Sequence, residues 1–172
     1  MKIKIFPIIL ILSFTIIFFI FYKGLNNSNI YIPDMKIEKD IPYFKANILE
    51  NDKIITSDKI FENDKFYLMN IWSSWCVPCR EEHSFLLSLK RNNNIEIIGL
   101  NYKDDDEKAK KFLIELESPY SLIISDQDGT IAIEWGAYGV PETFVIYNRK
   151  IIKKFIGPLN NDSLIKIKSL IK

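Results

Sequence analysis

The chain opens on one unbroken apolar run and then breaks into shorter apolar segments separated by polar punctuation. The opening run, residues 5–22 (IFPIILILSFTIIFFIFY), carries no charge. Coiled as a helix it would extend about 27 Å, close to the thickness of a bilayer's hydrocarbon core. Because it is apolar on every side and terminal, a buried core helix accounts for it poorly. Lys2 and Lys4 precede it, as in a signal-peptide n-region, but Lys23-Gly24-Leu25-Asn26-Asn27 offers no small-residue cleavage site. The pattern predicts an uncleaved signal anchor over residues 1–25, a polar linker over 26–34 with Pro33 near its end, and one domain over 35–172. Lys2, Lys4 and the amino terminus outweigh Lys23, which favours a cytoplasmic N-terminus and a domain beyond the membrane.

Past the linker, residues 42–55 predict two short edge strands. Phe66-Tyr67-Leu68-Met69-Asn70-Ile71-Trp72 reads as a strand buried on both faces, within 65–72. A helix over 76–89 follows, with Phe85, Leu86 and Leu89 on one face. Asn92-Asn93-Asn94 is a turn and residues 95–101 (IEIIGLN) the next strand. Ala109, Phe112, Leu113 and Leu116 recur at helical spacing over 107–117. The run Asp104-Asp105-Asp106 before them supplies an N-cap and first-turn charge, metal binding being the lesser reading. Residues 122–124 form a short strand, 126–129 a turn and 130–135 one or two helical turns. Residues 143–147 and 151–155 alternate around Asn148-Arg149-Lys150 as an antiparallel hairpin. A terminal helix over 162–171 offers Leu164, Ile165, Ile167 and Leu170 for packing.

Composition changes this picture little. Over 172 residues, 48% are hydrophobic and 26% charged, enough for a packed core without help from metals or structural disulfides. The net charge of +1, with lysines and acids interspersed, argues against a nucleic-acid partner.

The candidate chemistry lies in Trp75-Cys76-Val77-Pro78-Cys79, which holds the chain's only 2 cysteines. The motif falls where the predicted strand ends and the helix begins. Unsatisfied backbone N–H groups and the helix dipole there favour a thiolate at the first cysteine. Cys76 is therefore placed to be the nucleophile, and Cys79, one turn inside the helix, to resolve a mixed disulfide. A structural zinc needs about four ligands, and the chain has no second cysteine pair and a single histidine, His83. A structural disulfide gains by closing a long loop, and this loop is short. A redox-active Cys76–Cys79 pair needing no cofactor and no metal is the reading. His83 reads as a surface residue, and Trp72 and Trp75 as packing and a lip around the dithiol.

A βαβ half carrying the dithiol, followed by a ββα half, is the thioredoxin arrangement: an α/β fold with a central mixed sheet flanked by helices. That fold places a cis-proline opposite the dithiol, just before its fourth main strand. Pro141, in Gly139-Val140-Pro141-Glu142, occupies the position, with a plain turn proline as the alternative. Val140 beside it joins Trp75 in the lip. The strings NIWSSWCVPCREEH, GLNYKDD, SPYSLIISDQDG and YGVPETFVI resemble the membrane-anchored, thioredoxin-like thiol:disulfide interchange proteins of bacterial cytochrome c maturation, the DsbE or CcmG family. The match runs in order over most of the chain after about Asp34. It departs at the Val-Pro pair between the cysteines and is loose over 38–60.

The resemblance implies a single-pass protein of the bacterial inner membrane with its catalytic domain in the periplasm. It implies a reductant that takes electrons from a membrane thiol donor. These pass to the disulfide of apocytochrome c, or to a cytochrome c maturation protein holding that thiol pair, before haem is attached. Asn70 stands where ordinary thioredoxins bury an Asp, so two other acids are candidates for tuning the couple. Glu82 lies three residues after Cys79 on the same helical face, although a solvated helix charge explains it equally well. Glu142, beside Pro141, is expected to lie close to the sulfurs. A carboxylate near a thiol disfavours thiolate and makes the couple more reducing. Two other functions stay open: a membrane-anchored reductase for another extracytoplasmic dithiol, such as a copper-site assembly factor, and a Cu(I) carrier. Thiolate softness allows Cu(I), but no Met cluster or additional histidine supports it.

Overall fold

The structure is a computed structural model that describes residues 5–26, 38–51, 53–62, 64–91 and 95–171. Residues 27–34 of the linker expected at 26–34, the lysines Lys2 and Lys4, and the turn at 92–94 lie outside the described residues. The chain divides into two units, Met1–Pro33 and Asp34–Lys172.

The first unit contains helix α1, Ile5–Asn26. Pro7 sits in its first turn, where a missing N–H costs nothing. Thr15 turns its hydroxyl back onto the carbonyls of Ile11 and Leu12 at 3.0 and 2.8 Å. Apolar side chains including Phe6, Ile9, Phe14, Phe19 and Tyr22 are exposed along it. Among the described residues no helix is long and apolar enough to cross a membrane. The stretch of α1 with every side chain described, residues 9–24, extends about 24 Å.

The second unit is built on one sheet of strands β1 (Lys39–Asp40), β2 (Lys45–Ile48), β3 (Ile54–Thr56), β4 (Phe66–Trp72), β5 (Ile95–Tyr102), β6 (Leu122–Asp126), β7 (Glu142–Tyr147) and β8 (Lys150–Ile156). Their order is β1-β8-β7-β4-β5-β6-β2-β3. Strands β4, β5 and β6 run parallel, and β7 and β8 return antiparallel on the other side of β4. The β4 run is apolar apart from Asn70 because both of its faces are covered. Leu68 and Trp72 face Leu86 and Leu89 of α3 (Val77–Lys90), Phe112 of α4 (Asp106–Leu116) and Ile167 of α6 (Asn161–Leu170). Met69 and Ile71 face Ile60 of α2 (Ser57–Ile60), Ile131 of α5 (Thr130–Glu134) and Trp135. Burying a side chain the size of Leu86 contributes about 1.5–3 kcal/mol.

Four details differ from the pattern-based expectation. Of the two strands expected as edges at 42–55, only β3 is one, since β2 pairs with both β6 and β3. The short elements β1 and α2 have too few residues to show a period. In α6 the core takes Ile167 and, after the helix, Ile171, while Ile165 is exposed. His83 is buried rather than on the surface: its ring lies edge-on to Phe112 and its Nε2 is 2.6 Å from the Glu117 carbonyl. That carbonyl closes α4, at the C-cap, and a histidine is the side chain on α3 that reaches it.

Candidate active site

Strand β4 ends at Trp72, the chain turns through Ser73 and Ser74, and α3 begins. Cys76 is the N-cap of that helix, with its Sγ accepting the Cys79 N–H at 3.1 Å. Proline in the first turn is compatible with the helix because that N–H has no intrahelical partner. Cys76 and Cys79 form a disulfide. Exposure does not separate the two sulfurs, since the residues are 4% and 2% exposed. Position does: the first sulfur stands at the positive end of the helix and receives an orphan N–H, which stabilises charge there once the bond opens.

The loop before the cysteines is held from outside. The Asp104 carboxylate accepts the N–H and hydroxyl of Ser74 and the side-chain amide of Asn101. Ser73 donates to the Tyr102 carbonyl, and the Trp75 indole donates to the Lys103 carbonyl at 3.1 Å. Of the three-aspartate run, Asp105 is the expected N-cap, accepting the Lys108 N–H. Asp104, by contrast, is buried and braces the dithiol loop instead of adding first-turn charge. Among the described residues, no three His, Cys, Asp or Glu side chains gather as a metal site.

Opposite this loop, the Val140–Pro141 bond is cis. The β4–β7 register pairs Ile71 with Glu142, which brings Pro141 beside the end of β4 from which the motif springs. Val140 packs, partly buried, against both halves of the core, and Trp75 and Val77, flanking Cys76, stand exposed.

The two candidate acids do not share a site. Asn70 pairs with Thr143 across the β4–β7 ladder and their side chains hydrogen-bond at 3.0 Å on the α3 face. Strand alternation therefore points Glu142, the preceding residue, to the opposite face. Its Oε1 accepts the Tyr138 and Gly139 N–H groups at 2.7 and 3.2 Å, and its Oε2 meets Lys154 Nζ at 2.8 Å. Lys154 also donates to the Gly136 carbonyl and lies 4.1 Å from the Tyr138 ring centre. Glu142 thus pins the loop leading to Pro141, and its charge is met by Lys154 on the face away from α3, whereas the expectation places it close to the sulfurs.

Glu82 is buried, not a solvated helix charge, with 1% of its surface exposed. One oxygen accepts the Asn70 amide at 2.8 Å and the other the Leu159 N–H at 2.8 Å. No cation meets it among the described residues. Burial pushes its carboxyl up to about 7, against the opposing pull of the Leu159 and Asn70 hydrogen bonds. Sequence reasoning missed Asp104, Tyr120, Leu159 and Lys154 as partners here. The one available signal was Asn70 itself, a polar residue inside a buried strand that must find partners.

Comparison with known proteins agrees with this geometry. A family model described as Redoxin matches residues 36–170. The chain is 37% identical over 140 residues to the thiol:disulfide interchange protein DsbE of Pseudomonas fluorescens biotype C, covering 81% of this chain and 77% of that protein. It is 41% identical over 136 residues to the thiol:disulfide interchange protein HelX of Rhodobacter capsulatus, covering 78% and 76%. Among solved structures, the thioredoxin domain of a thiol-disulfide oxidoreductase from Bacteroides vulgatus superposes with a TM-score of 0.67 at 17% identity, covering 80% of this chain and 99% of that one. That last likeness speaks for the thioredoxin-like fold alone. With the family match running across the domain that carries the Cys76–Cys79 disulfide, the chain belongs to the redoxin family, as a thiol:disulfide oxidoreductase of the DsbE type.

Proposed function

We propose that this oxidoreductase works as an extracytoplasmic reductant of apocytochrome c, or of a maturation partner holding its thiol pair, before haem attachment. The observation that carries the reading is the buried Glu82 carboxyl one turn beyond Cys79, with no cation meeting it among the described residues. An ionised acid there disfavours thiolate and favours giving electrons away. The family resemblance supplies the client class.

The reaction balances without a cofactor. A membrane thiol donor reduces Cys76–Cys79 to the dithiol, giving two electrons and two protons. The Cys76 thiolate attacks one sulfur of the client disulfide, and the other client sulfur leaves and takes a proton. Cys79 then loses its proton and attacks Cys76 Sγ, which releases the second client sulfur as a thiol. Glu82, on the same face of α3 as Cys79, is assigned as tuning acid and proton acceptor for that second step. Pro141, with Val140 and Trp75 as a lip, is assigned to hold the client chain beside the sulfurs. Glu142 is assigned a lesser tuning share, because Lys154 meets its charge.

A strain lacking the gene is expected to lose c-type cytochromes on haem-stained gels. The wild-type chain should restore them and Cys76→Ser should not. Unaltered cytochromes would move the client to another extracytoplasmic dithiol. Metal analysis of the reduced protein tests the Cu(I) alternative.

The charge-free run at 5–22 supports an uncleaved anchor in the bacterial inner membrane, with the dithiol in the periplasm. A C-terminally tagged chain is then expected in the membrane fraction, and protease added to spheroplasts should digest its domain. A soluble mature form beginning after Gly24 would contradict the anchor.

A further inference from the structure

Behind Glu82 lies a buried polar chain whose other members take no part in the reaction above. Asn70 has no exposed surface, and its amide is engaged on both sides. Its Nδ2 donates to Glu82 Oε1 at 2.8 Å and to Thr143 Oγ1 at 3.0 Å, while its Oδ1 accepts from the Tyr120 hydroxyl at 2.8 Å. Tyr120 comes from the segment between α4 and β6. Its ring stacks on Trp72 with centroids 5.4 Å apart. Behind it is Gly99, where an added Cβ would lie 2.9 Å from Tyr120 Cγ and from Trp72 Nε1. The ring is therefore fixed in a slot that a glycine keeps open.

We infer that Tyr120 is a positioning residue for Glu82, because its hydroxyl fixes which way the Asn70 amide faces and so aims an amide hydrogen at the Glu82 carboxylate. The two ends of an Asn side chain have nearly the same shape, and hydrogen-bond partners alone decide its orientation. With the oxygen toward Tyr120, every member of the chain is satisfied and Glu82 receives a donor, which suits its ionised form. With the amide reversed, its oxygen would face Glu82, and only a protonated Glu82 could bond to it. The Tyr120 hydrogen would then be buried with no acceptor, which penalises that orientation. Thr143 cannot make the same choice, since an alkyl hydroxyl gives and takes hydrogen bonds equally well. A phenol is the better donor, and burial with the nearby Glu82 charge keeps Tyr120 protonated well above the ordinary tyrosine range. Around Glu82 stand Asn70 of β4, Thr143 of β7, Tyr120, the Leu159 N–H and, on its own helix, Cys79. Of these only Tyr120 titrates while the Cys76–Cys79 disulfide is closed.

The consequence for the dithiol rests on the role proposed for Glu82, but the orientation itself is measured separately. The full chain, disulfide-bonded and in detergent micelles, is labelled with carboxyl-13C glutamate, and the Glu82 resonance is assigned with Glu82→Gln. Tyr120→Phe keeps the ring contact with Trp72 and removes the donor. It is expected to raise the Glu82 titration midpoint by roughly one pH unit, and Thr143→Val to raise it distinctly less. An unmoved midpoint in Tyr120→Phe, or an equal shift in Thr143→Val, overturns the inference. Should Thr143→Val not fold, Tyr120→Phe is compared in an Asn70→Ala background. No further shift is expected there, and a persisting one overturns the inference. If Tyr120→Phe moves the midpoint while Glu82→Gln leaves the pH profile of the disulfide potential unchanged, the inference stands and the role of Glu82 falls.

Discussion

Glu82→Gln is expected to flatten the pH dependence of folding stability between about pH 4.5 and 7. In the native protein burial pushes the Glu82 carboxyl from its ordinary 4.5 up to about 7. Between those values the folded chain holds a proton that the unfolded chain has released. Stability therefore falls as pH rises through this window and the loss is complete above it. The separation of the two values corresponds to a loss on the order of 3 kcal/mol. Glutamine has no such titration. It also turns a donor toward the Asn70 amide or the Leu159 N–H, so the variant loses about 1–3 kcal/mol at the acid end. The shape of the curve, not its height, is thus the diagnostic, read from urea unfolding on both sides of the window. Parallel curves for the two proteins would contradict an ionisable Glu82 in the folded core. The same substitution removes the negative charge behind the dithiol. It is expected to lower the Cys76 pKa by roughly one unit and to make the couple more oxidising by about 30 mV.

Most of the fold that carries this site can be read from local pattern. The β4 run is apolar on both faces and its neighbours β5 and β7 follow in the expected places, so the motif's strand-to-helix position is legible in the residues themselves. The cis bond at Pro141 agrees with the thioredoxin arrangement inferred from element order. The short pieces before β4 are less legible because two to four residues carry no period. What stays hidden is which polar side chains meet. Glu82 finds Leu159, and Asn70 finds Tyr120, through pairings far apart in sequence that leave no trace in either segment. His83 and Asp104 mislead for the same reason. A histidine among helix charges and the first of three aspartates both look solvated until α4 and the dithiol loop close over them. Glu142 is legible as the residue after the cis-proline, but strand alternation turns it to the face where Lys154 waits.

Cys76 is expected to attack a client disulfide and Cys79 to complete its reduction. Once the bond opens, the helix N-terminus stabilises charge on Cys76, whereas Cys79 lies one turn inside α3. Cys79→Ser removes the resolving thiol, so the mixed disulfide cannot collapse and its lifetime should rise from transient to isolable. Cells carrying this variant, quenched with acid and alkylated, are expected to accumulate adducts through Cys76 that dissociate with dithiothreitol. The captured protein should carry a Cys-x-x-Cys-His haem-attachment motif or be a partner that holds such a thiol pair. Cys76→Ser should accumulate none. Adducts formed through Cys79, or none from either variant, would contradict the account.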